Sequence, residues 1–232
     1  MSDRKWLKDY KEIEILISHA LDSIMGKIAY NNLDRYDVII FGLMKRIVSN
    51  YNSVKLLFLN NMNLEAMIII RTIIESVFVL NALIHKPIET FDKLNKLSNS
   101  NKKQLHKMAL SNEHLKSRAQ NYDFEYLESS NVKVKDFVNL SPLNQDLYEI
   151  VYRLISNKVH INLLSIESFI VFEDKNKFSV VENFDEQEIK SAYFANDYCL
   201  FLTLQELNKK YHIGIDIKIS EIERKLDELS IS

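Results

Sequence analysis

At 232 residues, with 47% apolar and 27% charged side chains, the chain can bury a sizeable core as one domain spanning 1–232. Three glycines and two prolines are too few for the turns of a strand-rich fold, and a net charge of −2 gives no overall attraction to nucleic acid or anionic membrane. One cysteine, Cys199, excludes an internal disulfide and a cysteine-based zinc cluster, and suits a reducing, cytoplasmic setting.

The expected class is all-α, a multi-helix bundle. A first helix is predicted from Asp3 to about Met25, with Leu7, Ile13, Leu16, Ile17, Leu21 and Ile24 on one stripe. His19 reads as a core or boundary residue beside that stripe. Gly26 and Asn31-Asn32 offer a break. A second helix is expected from Asp34 to about Leu59, and a third from Leu64 to about His85, with Asn63 as its cap. The third is apolar on every side, as a central bundle helix should be. Ala66–Ile84 is the most apolar stretch of the chain, yet Arg71, Glu75 and Asn81 interrupt it, so a buried helix is expected rather than a membrane span. Arg71 and Glu75 stand four residues apart on one face. Unpaired charges there would be costly, so partners must reach them.

Pro87 opens a further helical stretch, with a break expected at Ser98–Asn101. From Phe91 to Gln120 the bases Lys93, Lys96, Lys102, Lys103, Lys107, Lys116 and Arg118 face only Asp92 and Glu113, a local charge of +5. From Glu182 onward eleven acids face six bases, a charge of −5. The basic stretch is either a solvated helix face or an anion-binding surface. Residues 121–139 read as irregular, with short helical turns. Ser141-Pro142 reads as a helix start. Phe169–Glu173 and Lys177–Val181 alternate in polarity around Asp174-Lys175-Asn176, the pattern of a small β-hairpin. Asp185–Glu188 resembles a capping box for a long helix running to about Tyr211, with Gly214 as its C-terminal stop, and Ser220–Glu223 resembles another for a short final helix.

On the helix after Pro142, Arg153 and His160 lie two turns apart, with Ser156 between them and Tyr152 and Asn157 alongside. Arginine binds phosphate oxygens bidentately, and histidine exchanges protons near neutral pH. Together they are the minimum for metal-free RNA cleavage by the adjoining 2′-hydroxyl. The same residues admit a structural reading, in which a Glu75–Arg153 ion pair with His160 beside it locks two helices in register. No carboxylate pair stands at ligand spacing near His106 or His114, no Glu-x-x-His occurs, and no glycine-rich phosphate loop is present, so neither metal nor cofactor is expected. Tyr193, Phe194, Tyr198 and Phe201 recur at helical spacing and read as packing residues, with Cys199 a small apolar neighbour.

Arg153-Leu-Ile-Ser-Asn-Lys-Val-His160 resembles the R-x(4–6)-H motif of the HEPN superfamily, helical proteins of toxin–antitoxin and antiviral defence systems. Arg71-Thr-Ile-Ile-Glu75 followed by Tyr152-Arg153-x-x-Ser156-x-x-Val159-His160 is similar to a large uncharacterised bacterial helical family, over roughly Ser49 to Ser165. The resemblance implies a homodimer whose Arg153 and His160 line a shared cleft and cleave RNA to a cyclic phosphate. Lys93 to Arg118 would then track RNA, and a protein partner or antitoxin would be a natural companion. The alternative is a non-catalytic helical interaction or sensor module.

Overall fold

The computed structural model describes residues 10–28, 33–120, 127–141, 143–159, 169–174, 177–180 and 184–230. It is an α-helical bundle with one small β-hairpin. In chain order the elements are α1 (Lys11–Ile28), α2 (Arg35–Leu59), α3 (Asn63–His85), α4 (Pro87–Leu110), α5 (Lys116–Ala119) and α6 (Val134–Val138). Then come α7 (Asn144–Asp146), a π-helical stretch (Leu147–Tyr152), α8 (Arg153–Val159), β1 (Ile170–Asp174), β2 (Lys177–Val180), α9 (Glu186–Tyr211) and α10 (Asp216–Ser230).

α3 is the hub, packing against α2, α4, α6, α8 and α9. Ile70, Ile73, Ile74, Val77, Phe78 and Leu80 are fully buried on it. It is the one described helix long and apolar enough to cross a membrane, and most of its apolar surface is instead covered by its neighbours. Nor is it sealed on every side, for Ile68 is exposed and Arg71, Thr72, Glu75 and Val79 are half-buried along one strip. α1, α9 and α10 close the other side of the bundle.

Local chemistry sets several boundaries. Asp34 caps α2, accepting from the Tyr36 and Asp37 amides at 2.7 and 2.8 Å, while Asp37 returns a bond to the Asp34 amide. Asp185 caps α9 through the Gln187 amide at 3.1 Å. α9 ends at Tyr211 and is capped by His212, which takes the left-handed conformation (φ 49°), two residues ahead of Gly214 (φ 74°). Asn208 then bridges the corner: its amide group donates to Asp216 and its carbonyl accepts from the Ile215 amide. That bridge starts α10 at Asp216, four residues ahead of the expected Ser220.

Other expectations are also corrected. α4 runs unbroken through Ser98–Asn101, because four polar residues with no proline or glycine cost a helix only fractions of a kcal/mol each, roughly. Asn63 is the first residue of α3, and the cap position belongs to Met62, which makes no side-chain cap bond. α1 continues through Gly26 to Ile28; its expected start at Asp3 lies outside the described residues. His19 is exposed. Ser141 is buried and the helix starts at Asn144; Pro142 lies outside the described residues. Asn144 is fully buried and donates to the Phe78 carbonyl at 3.0 Å, while its own carbonyl accepts from Asn81, which fixes this start against α3. The hairpin pairs antiparallel, with Ile170 opposite Val180 and Phe172 opposite Phe178.

Candidate functional site

The seam between α3 and the helix leading into α8 carries the residues singled out by sequence. Between Asn144 and Val159 the helix changes from α to π over Leu147–Tyr152 and back to α at Arg153. Such stretches are rare and recur at functional sites. Here Tyr148 and Tyr152 stack, with centroids 5.3 Å apart and planes at 18°, and both rest on buried Phe78.

Tyr152 is where the two helices meet chemically. Its hydroxyl donates to Glu75 Oε1 at 2.8 Å and accepts from Arg71 Nη2 at 3.2 Å, while Arg71 Nε reaches the same Glu75 oxygen at 3.2 Å. The Arg71 guanidinium also lies 5.5 Å from the Tyr152 ring centroid. Burial raises the phenol pKa of Tyr152; the Arg71 hydrogen bond opposes the rise and Glu75 reinforces it. The tyrosine therefore serves as a neutral bridge between a cation and an anion.

The expected Glu75–Arg153 pair does not form. Glu75 is occupied by Arg71 and Tyr152, and Arg153 pairs within its own helix with Glu149 at 2.8 Å. The Arg71 and Glu75 side chains are 25% and 35% exposed, so half-solvated charges found the nearest partner on the facing helix, and that partner is a phenol. Arg153 points outward, 58% exposed, with its guanidinium 5.7 Å from the Tyr148 ring centroid. Ser156 Oγ is buried without a hydrogen-bond partner, and Asn157 is exposed. His160, the expected proton carrier, lies outside the described residues.

Among the expected RNA contacts, Lys102, Lys107, Lys116 and Arg118 are exposed on α4 and α5, whereas Lys93, Lys96 and Lys103 are half-buried. Lys96 is bound to Asp92 and Glu128. His106 donates through Nε2 to the Ala119 carbonyl at 2.9 Å, which tethers α5 to α4.

A second polar cluster escaped the sequence reading. Asp197 on α9 is fully buried, and neither carboxylate oxygen completes a hydrogen bond of ordinary geometry. Tyr51 of α2 faces it, its own hydroxyl likewise buried and unsatisfied. Nearby, Glu14 of α1 accepts from Tyr193 at 2.5 Å and from Lys55. Burial drives the Asp197 pKa well above the usual carboxylate range; Tyr51 pulls it down, Glu14 pushes it up and Lys55 pulls it down. Burial also raises the Cys199 thiol, with a further push from Asp197. Glu14, Tyr51 and Lys55 line a groove of about 480 Å³ between α1 and α2. One signal was available: Tyr193, Asp197, Leu200 and Leu204 repeat at helical spacing, placing a carboxylate on a core-facing line.

Among the described residues, no group of three or more His, Cys, Asp or Glu side chains could hold a metal ion. A family model described as a family of unknown function (DUF5677) matches residues 37–178, more than half of the chain. No curated protein and no solved structure matches it. The matched range contains Arg71, Glu75 and the whole Tyr152–His160 segment, and the chain belongs to the DUF5677 family.

Proposed function

We propose that this protein is a HEPN-like, metal-independent RNA-directed effector of a bacterial defence or toxin–antitoxin system, working in the cytoplasm as a homodimer. The observation that carries the reading is the state of Arg153. It is solvent-facing, and among the described residues its ion pair is with Glu149, four residues back on the same helix. An exposed pair of this kind is worth about 0–1 kcal/mol, so an RNA phosphate, which arginine grips with two parallel bonds, can displace the carboxylate. Tyr152, locked by Arg71 and Glu75, holds the preceding position of the helix in place.

In this reading Arg153 holds the scissile phosphate. The ribose 2′-hydroxyl attacks phosphorus, the 5′-oxygen leaves, and a 2′,3′-cyclic phosphate forms. His160 takes the hydroxyl proton or supplies the one the leaving oxygen needs. Ser156 and Asn157 orient the pair, and the exposed cations of α4 and α5 follow the RNA backbone, so that binding weakens as salt rises.

A second reading has its own support. The Arg71–Glu75–Tyr152 triangle closes without Arg153, as a purely architectural clasp in a non-catalytic interaction or sensor module would. One experiment separates the two. Single-stranded RNA is incubated with the parent, Arg153→Ala and His160→Ala proteins, each checked for native helicity, and products are probed for cyclic phosphate ends. Cleavage by the parent that falls at least about 100-fold in both variants supports the nuclease. Cleavage indifferent to His160→Ala, or absent from the parent, favours the clasp.

A further inference from the structure

α4 contacts the core only through its first half, where Thr90 is buried and Leu94 and Leu97 pack against the bundle. Its second half has no buried residue. There Lys102 and Leu105, Lys102 and His106, and Leu105 and Ala109 stand three or four residues apart on the face turned to α5. Leu115, Arg118 and Ala119 complete the opposite wall of a groove of about 370 Å³.

Two properties of this groove are informative together. Its aliphatic side chains are open to solvent, with Leu105 65%, neighbouring Met108 60% and Leu115 45% exposed. Its rim is cationic: from Asn101 to Gln120 there are four lysines and one arginine against the single acid Glu113. RNA phosphates account for the cations, and His106 and Arg118 can stack on bases, but neither contact uses the exposed aliphatic side chains of Leu105, Met108 and Leu115. A membrane-lying helix presents a convex apolar ridge, often with aromatic anchors. Here the small residues Ala109 and Ala119 line the groove together with Leu105 and Leu115, a mix of small and larger apolar side chains that can receive the ridge of a single helix.

We propose that the α4–α5 groove is a docking site for an acidic amphipathic helix of a protein partner. Apolar residues on one face of that helix, at i, i+3, i+4 and i+7, enter between Leu105 and Leu115, while flanking carboxylates meet Lys102, Lys107, Lys116 and Arg118. The inference does not depend on RNA cleavage. It adds an interaction surface away from the seam that carries Arg153, and it claims for a protein partner the exposed α4–α5 cations that the RNA-directed reading lays along the RNA backbone.

The test uses the full chain and a panel of fluorescent 18-residue helical peptides, about 18 residues being five turns. They carry Leu, Ile or Met at those four positions and Glu on the flanks. Controls are the same peptides with Lys for Glu, a single-stranded RNA, and vesicles of phosphatidylcholine with phosphatidylserine. Binding of acidic peptides is expected, weakening at least about tenfold in a Leu105→Gln/Met108→Gln variant and again in Lys102→Glu/Lys107→Glu. All four substituted side chains are exposed, so both variants should melt with the parent. The proposal is overturned if no acidic peptide binds, or if binding ignores the Leu105→Gln/Met108→Gln change. It is equally overturned if only RNA or vesicles bind and only the charge reversals matter.

Discussion

The α3–α8 seam and the centre of α9 answer the same problem in opposite ways. Both set ionisable groups into apolar helical surroundings. At the seam, Arg71 and Glu75 stay partly solvated and share a tyrosine that satisfies both. Asp197 is sealed from solvent with no ion-pair partner in contact, and the cost of desolvating its charge pushes its pKa well above the usual carboxylate range, with Tyr51 opposing the rise. Burial, more than the identity of the charge, decides which course a helix takes. The seam keeps its charges and can use them. At the α9 centre burial works against the charge.

The largest effect that would break this contrast concerns Asp197. Its pKa in the folded protein is raised. The unfolded chain therefore ionises first, near pH 4, and the folded state binds the extra proton above that point. Stability should fall as pH rises from about 4 towards the folded pKa, by at most about 1.4 kcal/mol per pH unit from this group. Asp197→Asn, which copies the neutral acid in shape, should be more stable than the parent at pH 8, with an advantage that shrinks on acidification towards pH 4. Urea unfolding of both proteins at pH 4, 6 and 8 measures it. An Asn variant no more stable than the parent at pH 8 would mean that Asp197 is ionised and paired after all.

A smaller effect is expected at the seam. Removing Glu75 takes away the acceptor of two hydrogen bonds, one of them from a cation, but both charges are partly hydrated. Glu75→Ala should cost about 1–2 kcal/mol by the same urea titration. A loss above about 4 kcal/mol would make the seam a buried ion pair like those that fail badly when halved. The smallest effect belongs to Arg153. Its exposed pair with Glu149 should be worth under about 0.5 kcal/mol, so Arg153→Gln should melt within a degree or two of the parent. That makes it a clean probe, since any loss of RNA activity in it would come from the site and not the fold.

What could be seen in the residues beforehand follows the range of the forces involved. α2, α3, the start of α4, α9 and the hairpin were legible because their signals are local: the break at Asn31-Asn32, the Asp185 cap, Pro87, and alternation on either side of Asp174. The start of α10 was not, because Asn208 reaches eight residues along the chain to set it, and a Ser-x-x-Glu pattern inside the helix imitated a cap. That Arg71 and Glu75 needed company was also readable. Their partner was not, since charge suggests an arginine and only the packed helix pair shows that a tyrosine hydroxyl stands there. The Asp197 cluster draws on α1, α2 and α9, regions far apart in the chain, and its one local sign was an acid on an apolar line.

The π stretch at Leu147–Tyr152 has one more implication. Bonding to the fifth residue in place of the fourth lodges an additional amino acid in the turn. The helix thus contains slack. Deleting one residue there, Ile150 for example, should let the turn relax to ordinary α pitch while Asn144 and Ile155 keep their bearings. A deletion of the same size in α9, where no such surplus exists, would swing everything beyond it by about 100°.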